Sequence, residues 1–369
     1  MKISEIEIRV CRAKRPDFAA DRLRDSYAES FEFLVVTLTT DAGISGTSFG
    51  FAADRGGLMA AEIAAYALKP FFLGRDPFFR EKNWQDFRRY DRSLRHTPMY
   101  SFGPFDIACW LIGAQAAGQP LYKYLGAYRD RVPVYASSLR HTTPDAYVAE
   151  ALATKARGWP AYKVHPPGDF GFDLEVQRAI RTAVGPDYPL MSDPGPAYDL
   201  EQAMRMGREL EKLSYLWLEE PLFDEGFHAL RELTRALDIP ICGTEVLNKH
   251  PYSVAECIAT RVVDIVRADV SWSGGITAVM KTANLAEAFG VRCEIHTTIY
   301  HPLELVNLHC CAAIQNCTYL ELLVPESYFA FGLKQPLRIA DGCAVLPDGP
   351  GLGIEYDWDF IDNATYHKL

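Results

Sequence analysis

The sequence predicts an α/β barrel of the (β/α)8 type preceded by a smaller α+β unit. Two patterns carry that expectation. After Gly126, eight short apolar strands alternate with amphipathic helical stretches, and parallel strands joined this way need helical crossovers. Before it, three strand-like runs come first and helices follow. With 369 residues, 49% of them apolar, the chain can build one large or two unequal domains around a substantial core.

Taken in order, residues 3–10 alternate apolar and polar side chains as a half-buried strand does. Residues 33–40 read as a second strand, and Asp41-Ala42-Gly43 supplies the turn into a third at 44–51. Helical patterns follow at 57–66, 81–90 and 105–117, the last with Ile107, Trp110, Leu111 and Ala114 on one apolar stripe. The expected barrel strands are 132–139, 161–165, 190–193, 216–219, 239–245, 263–269, 292–296 and 319–322, with helices such as 200–213 and 276–289 between them. A doubly wound α/β sheet is the rival, but no glycine-rich phosphate turn follows 132–139. Gly43, Gly46 and Gly50 do not fit that fingerprint and read as turn residues.

Composition narrows the function. Forty-eight acidic against 38 basic residues give a net charge of −10, the wrong sign for displacing counterions from nucleic acid. Mean hydropathy is −0.09 and no run approaches the roughly 18 apolar residues of a membrane span. The first ten residues carry charges throughout and no signal-peptide core follows. Nine scattered cysteines without a CxxC pair read as reduced thiols, so a cytoplasmic protein is expected.

Reacting groups in such barrels stand at the C-terminal ends of strands. Those ends carry Lys163 and His165, Asp193, Glu219, Glu245, Asp269, His296 and Glu321, spaced 30, 26, 26, 24, 27 and 25 residues apart from Lys163 onward. One charged group therefore recurs per βα unit, which a solvated charge run does not do. Asp193, Glu219 and Glu245 come from three consecutive strands and offer hard oxygen donors without Cys or His, the donor set that suits Mg²⁺. Helix capping explains any one of them but not all three. Lys163 and His165 are two apart on a strand and share a face. Asp269 and His296 end adjacent strands, where the carboxylate can orient the ring for general acid/base work. Glu321 can donate a hydrogen bond if protonated or pair with Lys163. Arg267 and Glu294 should face inward one layer lower, as a supporting ion pair.

The arrangement resembles the enolase superfamily, and within it the mandelate racemase-like subgroup. The resemblance rests on Tyr162-Lys163-Val164-His165, Ser192-Asp193-Pro194, Trp217-Leu218-Glu219-Glu220-Pro221, Gly243-Thr244-Glu245, Ala268-Asp269 with Gly274-Gly275-Ile276-Thr277, Glu294-Ile295-His296 and Leu320-Glu321. Ahead of them, Phe105-Asp106-Ile107-Ala108-Cys109-Trp110 through Leu125-Gly126 look like the family's domain junction. The resemblance implies a modified TIM barrel, (β/α)7β, under an α+β capping domain: cap 1–125, barrel 126–325, and a segment from 326 to 369 returning to the cap. It implies Mg²⁺ on Asp193, Glu219 and Glu245, an Asp269–His296 dyad, and Glu321 bonded to the substrate carboxylate. Family members abstract the proton α to a carboxylate and stabilise the enediolate. Two departures stand out: His165 where a second lysine is usual, and Asp193-Pro194-Gly195 where Asp-Ala-Asn is common. Val270, Ser271 and Trp272 after Asp269 leave no sixth-strand lysine of the cycloisomerase and dipeptide-epimerase type.

The expected activity is dehydration of a sugar acid to a 2-keto-3-deoxy acid. The alternatives are racemisation or epimerisation of a 2-hydroxy acid by His165 and His296 from two faces, and a non-catalytic binding protein. The expected partner is a small carboxylate, with no nucleic acid or membrane, in a homo-oligomer. Loops 14–30 and 47–55 are expected to shape the pocket, with Arg15, Arg22, Arg24 and Tyr27 in the first, most of them solvated.

Overall fold

Antiparallel pairing of three strands, β1 (Ile3–Lys14), β2 (Ser30–Thr40) and β3 (Ser45–Phe51), builds the first sheet. The structure, a computed structural model, describes residues 1–14, 30–52, 56–93, 97–246 and 249–369. Helices follow as α1 (Gly57–Ile63), α2 (Lys69–Phe72), α3 (Arg80–Arg92), α4 (Met99–Ala116) and α5 (Leu121–Tyr124). The helix expected over 57–66 ends its α-helical part at Ile63 and widens into a π turn, Ala64–Leu68. Pro70 follows two residues after it, and its missing N–H and ring disfavour a straight α-helix there.

Helix α4 departs from the expected single stripe. It starts at Met99, six residues earlier than expected, runs through Pro104, and buries all its faces between the first sheet and the barrel. Strand β3 lies so close that a Cβ on Gly46 would stand 2.2 Å from the Ala108 carbonyl oxygen, and one on Gly50 2.5 Å from Pro104 Cγ. Gly46 and Gly50 are therefore close-approach residues inside a strand, and only Gly43, with φ +77°, is a turn residue.

The barrel alternates β4 (Arg131–Ser137), α6 (Pro144–Ala156), β5 (Ala161–Val164), α7 (Phe170–Val184), β6 (Leu190–Ser192), α8 (Leu200–Lys212), β7 (Leu218–Glu219) and α9 (Phe227–Ala236). It continues through β8 (Ile241–Gly243), α10 (Pro251–Ala259), β9 (Ile265–Ala268), α11 (Ile276–Ala288), β10 (Arg292–Ile295), α12 (His301–Ala313) and β11 (Leu320–Leu323). Eight parallel strands with seven helices between them make a (β/α)7β barrel, in which β11 pairs with β4 and packs beside β10 to complete the ring. Local sequence sets the helices: Asp199 and Gln202 form a capping box at the start of α8, and Ala203, Met206, Gly207 and Leu210 bury its inner face.

After β11 come β12 (Ile339–Ala340), β13 (Cys343–Val345), α13 (Trp358–Ala364) and β14 (Thr365–Lys368). Strand β13 pairs antiparallel with the start of β4, while β14 pairs with β1 and extends the first sheet to four strands. Inside the barrel, Tyr135, Ala161, Met191, Trp217, Cys242 and Ile265 pack as one apolar layer. Ala161, Met191, Trp217 and Ile265 each precede by two residues Lys163, Asp193, Glu219 and Arg267. Strand alternation puts those charged groups on the same inward face, one layer above an apolar floor.

Candidate active site

Most barrel strands are shorter than expected, and the difference matters at the mouth. Lys163, Glu219 and Glu321 lie within ladders, whereas Asp193, Glu245, Asp269 and His296 stand one or two residues beyond them. Residues released from a ladder can turn their side chains over the barrel axis. The ends are held firmly: Gly195 N donates to Asp193 Oδ1 at 3.0 Å, and Glu245 N donates to Glu220 Oε1 at 2.9 Å.

The three candidate metal ligands are knitted together by two buried cations. Lys163 Nζ lies 3.0 Å from Asp193 Oδ2, 2.9 Å from Glu219 Oε1 and 2.8 Å from Glu321 Oε1. Arg267 Nη2 lies 3.0 Å from Glu219 Oε1 and also pairs with Glu321, while its Nε lies 3.4 Å from Glu245 Oε2. Trp217 Nε1 donates to the remaining oxygen of Glu219 at 2.8 Å. The expected Arg267–Glu294 ion pair does not form. Arg267 does face inward, but its carboxylate partners are Glu219, Glu245 and Glu321; Glu294 instead accepts from Arg292, Thr318 N and Tyr319 N. Facing direction was readable from alternation, but four carboxylates compete for one guanidinium and the sequence does not rank them.

Charge follows from this geometry. Burial alone would raise Asp193 and Glu321, yet Lys163 with His165, and Lys163 with Arg267, hold the two carboxyls well below the usual range. Glu321 is thus an ionised acceptor here, not the protonated donor considered above, and Thr297 N donates to it at 3.1 Å. Glu245 behaves oppositely: burial, and then the charges of Glu219 and Asp193, push its carboxyl far up. Among the described residues no three Asp, Glu, His or Cys side chains form a ready-made ligand shell. The donor chemistry nevertheless fits a divalent ion. Asp193, Glu219, Glu245 and Glu321 share two cations, too little positive charge to keep the Glu245 carboxyl from being pushed up.

Two imidazoles flank this cluster. His165 Nδ1 faces the Ser138 carbonyl oxygen at 2.8 Å, so that nitrogen carries a proton, and Nε2 lies 2.9 Å from Asp193 Oδ2. His165 N donates to Ser138 Oγ, and Tyr147 Oη donates to the His165 carbonyl at 2.8 Å. On the other side His296 Nδ1 lies 3.3 Å from Asp269 Oδ2, and Nε2 lies 3.7 Å from Glu245 Oε1. Asp269 is itself oriented by Ser271 N and Trp272 N, both donating to Oδ1 at 2.7 Å. Each ring is anchored through Nδ1 and directs Nε2 toward the carboxylates.

The sequence reading missed several supports. Trp272 covers the His296 ring with centroids 4.8 Å apart. Asn307 Nδ2 donates to the His296 carbonyl at 2.8 Å. Glu304 gathers the segment after His296, accepting from Thr297 Oγ1 at 2.6 Å, Thr298 Oγ1 at 2.8 Å and Ile299 N at 3.0 Å, and also from Thr298 N. Only Glu304 left a signal, as a carboxylate on a helix whose surroundings are apolar. Arg15, Arg22, Arg24 and Tyr27, with loop positions 15–29 and 53–55, lie outside the described residues.

Comparison with known proteins agrees with this architecture. Residues 146–360 match the family model described as enolase C-terminal domain-like. The chain is 31% identical over 305 residues to an arabinonate dehydratase of Saccharolobus solfataricus, covering 78% of each. The crystal structure of D-glucarate dehydratase from Agrobacterium tumefaciens, complexed with magnesium, superposes with a TM-score of 0.89 at 33% identity over 100% of both chains. A racemase from Streptomyces coelicolor with bound magnesium superposes with a TM-score of 0.86 at 26% identity, covering 99% of this chain and 100% of that one. The chain belongs to the enolase C-terminal domain-like family, and with it to the enolase superfamily.

Proposed function

We propose that this chain is a Mg²⁺-dependent dehydratase of sugar acids, converting them to 2-keto-3-deoxy acids by abstracting the proton α to a carboxylate. One observation carries the reading: two imidazoles, each anchored through Nδ1, direct Nε2 at one carboxylate cluster from strands on either side of it. The relatives named for arabinonate and D-glucarate support the substrate class, and the magnesium in related structures supports the metal.

Asp193, Glu219 and Glu245 would hold the ion, which supplies Lewis-acid stabilisation of charge on a substrate carboxylate. The rest falls to this chain's residues. Lys163 and Arg267, buried on the apolar floor, offset part of the negative charge of the carboxylate cluster against which a doubly negative deprotonated acid must form. One Nε2 takes the α-proton; His296, with Asp269 behind it, returns a proton to the departing β-hydroxyl. His165 stands where a second lysine is usual, and its Nε2, here 2.9 Å from Asp193 Oδ2, would serve as base when it gives up that contact. Expulsion of hydroxide as water leaves an enol, which tautomerises to the 2-keto acid.

The test is a library of aldonic and aldaric acids with Mg²⁺, read for 2-keto acid. Formation from at least one member is expected. Exchange of the α-proton in D₂O without elimination would replace this reading with racemisation, which the same pair of imidazoles could perform. We infer further that the chain works in the cytoplasm, supported by nine free thiols, and as a homo-oligomer. Among the described residues no helix is long and apolar enough to cross a membrane.

A further inference from the structure

Among the described residues, the cations Lys163, Arg267 and Lys249 of the barrel mouth are committed. Lys163 and Arg267 are saturated by carboxylates, and Lys249 donates to the Val246 carbonyl. Arg140 is the exception. It sits three residues past β4 and is half-buried, and among the described residues it makes neither an ion pair nor a hydrogen bond. Its guanidinium reaches Gly195: a Cβ built on that glycine would stand 4.0 Å from Arg140 Nη2. To get there the side chain spans the end of β5, the strand that leads into His165, and arrives two residues past Asp193. Gly195, at φ +63°, presents no side chain to block it. Asp173, a buried carboxyl that feels the Arg140 charge, is occupied by Tyr198 Oη at 2.5 Å and Gly168 N at 3.3 Å.

A half-buried guanidinium gives up hydration, and without an anion nothing returns it. Its planar fork matches a carboxylate edge-on. We propose that Arg140 and the open backbone at Gly195 form a subsite for a second carboxylate at the far end of the substrate, so that the substrate is an aldaric diacid. This rests on the dehydratase reading for the position of the reacting end. With the α-carbon between His165 and His296, a chain growing outward past His165 brings its terminal group to Arg140.

Galactarate and D-glucarate are compared with D-galactonate and D-gluconate, with Mg²⁺ present, by turnover to 2-keto acid and by calorimetric binding. Wild type should favour a diacid. Arg140→Gln should reduce kcat/KM and affinity for that diacid on the order of 10- to 100-fold more than for its monoacid counterpart. Gly195→Asn keeps the arginine but places an amide in the space its guanidinium faces, and should also collapse the preference; asparagine tolerates the left-handed backbone. No diacid preference in wild type, or an unchanged diacid-to-monoacid ratio in either folded variant, overturns the subsite. Keto acid formed from monoacids would then leave the dehydratase reading intact. Arg140-dependent diacid binding with no keto acid from any acid does the reverse: it keeps the subsite and removes the dehydratase.

Discussion

In the proposed reaction, His296 is the residue on which proton transfer turns. Asp269 fixes its Nδ1 proton, Trp272 covers its face and Asn307 holds its carbonyl, so the ring's position is determined before any ligand arrives. His296→Asn removes the Nε2 acid/base while leaving the carboxylates in place. A fall in kcat of about 10²- to 10⁴-fold with KM changed only a few-fold is expected from steady-state kinetics. Glu304 makes a second prediction. Burial outweighs its hydrogen bonds and pushes its carboxyl up from 4.5 to about 7. A carboxyl raised on folding binds protons more readily in the folded state, so its contribution to stability is fully present below pH 4.5. That contribution is lost as pH rises through about 7. Glu304→Gln should flatten the fall in stability across that window, by on the order of 3 kcal/mol, in urea unfolding at stepped pH.

Among the elements, β3 and α4 show what the sequence could and could not say. Strand and helix periodicity located both, because a half-buried strand and a packed helix leave period-2 and period-3.6 patterns. Their contact left no such mark. Gly46 and Gly50 looked like turn residues because glycine's commonest use is conformational, whereas here two backbones approach too closely for any side chain. Helix α4 looked amphipathic from four positions because nothing local reveals that a sheet covers its other side. Gly46→Ala should therefore destabilise by about 1–3 kcal/mol, the cost of overpacking. Gly43→Ala, with nothing within 4 Å of the added carbon, should cost only the left-handed backbone, about 1–2 kcal/mol. Denaturant midpoints of the two variants check the pair: recovery of Gly46→Ala by Ala108→Gly is not expected, since the clash is with backbone.

Across the whole molecule, the barrel and the order of its charged strand ends were legible, since one charged group per βα unit survives as a spacing near 26 residues. The network joining them was not. Which carboxylate Arg267 serves, and how Lys163 divides itself among Asp193, Glu219 and Glu321, depends on eight strands closing at one radius. That closure also concentrates four carboxylates around two cations, leaving a deficit of positive charge that a divalent ion would make up. Calorimetric titration of the metal-free protein with Mg²⁺, beside Glu219→Gln, tests this most directly. One ion per chain in the wild type and its loss in Glu219→Gln is the expected result. Absence of binding in the wild type, or binding that survives the substitution undiminished, would contradict a metal centre built on Asp193, Glu219 and Glu245.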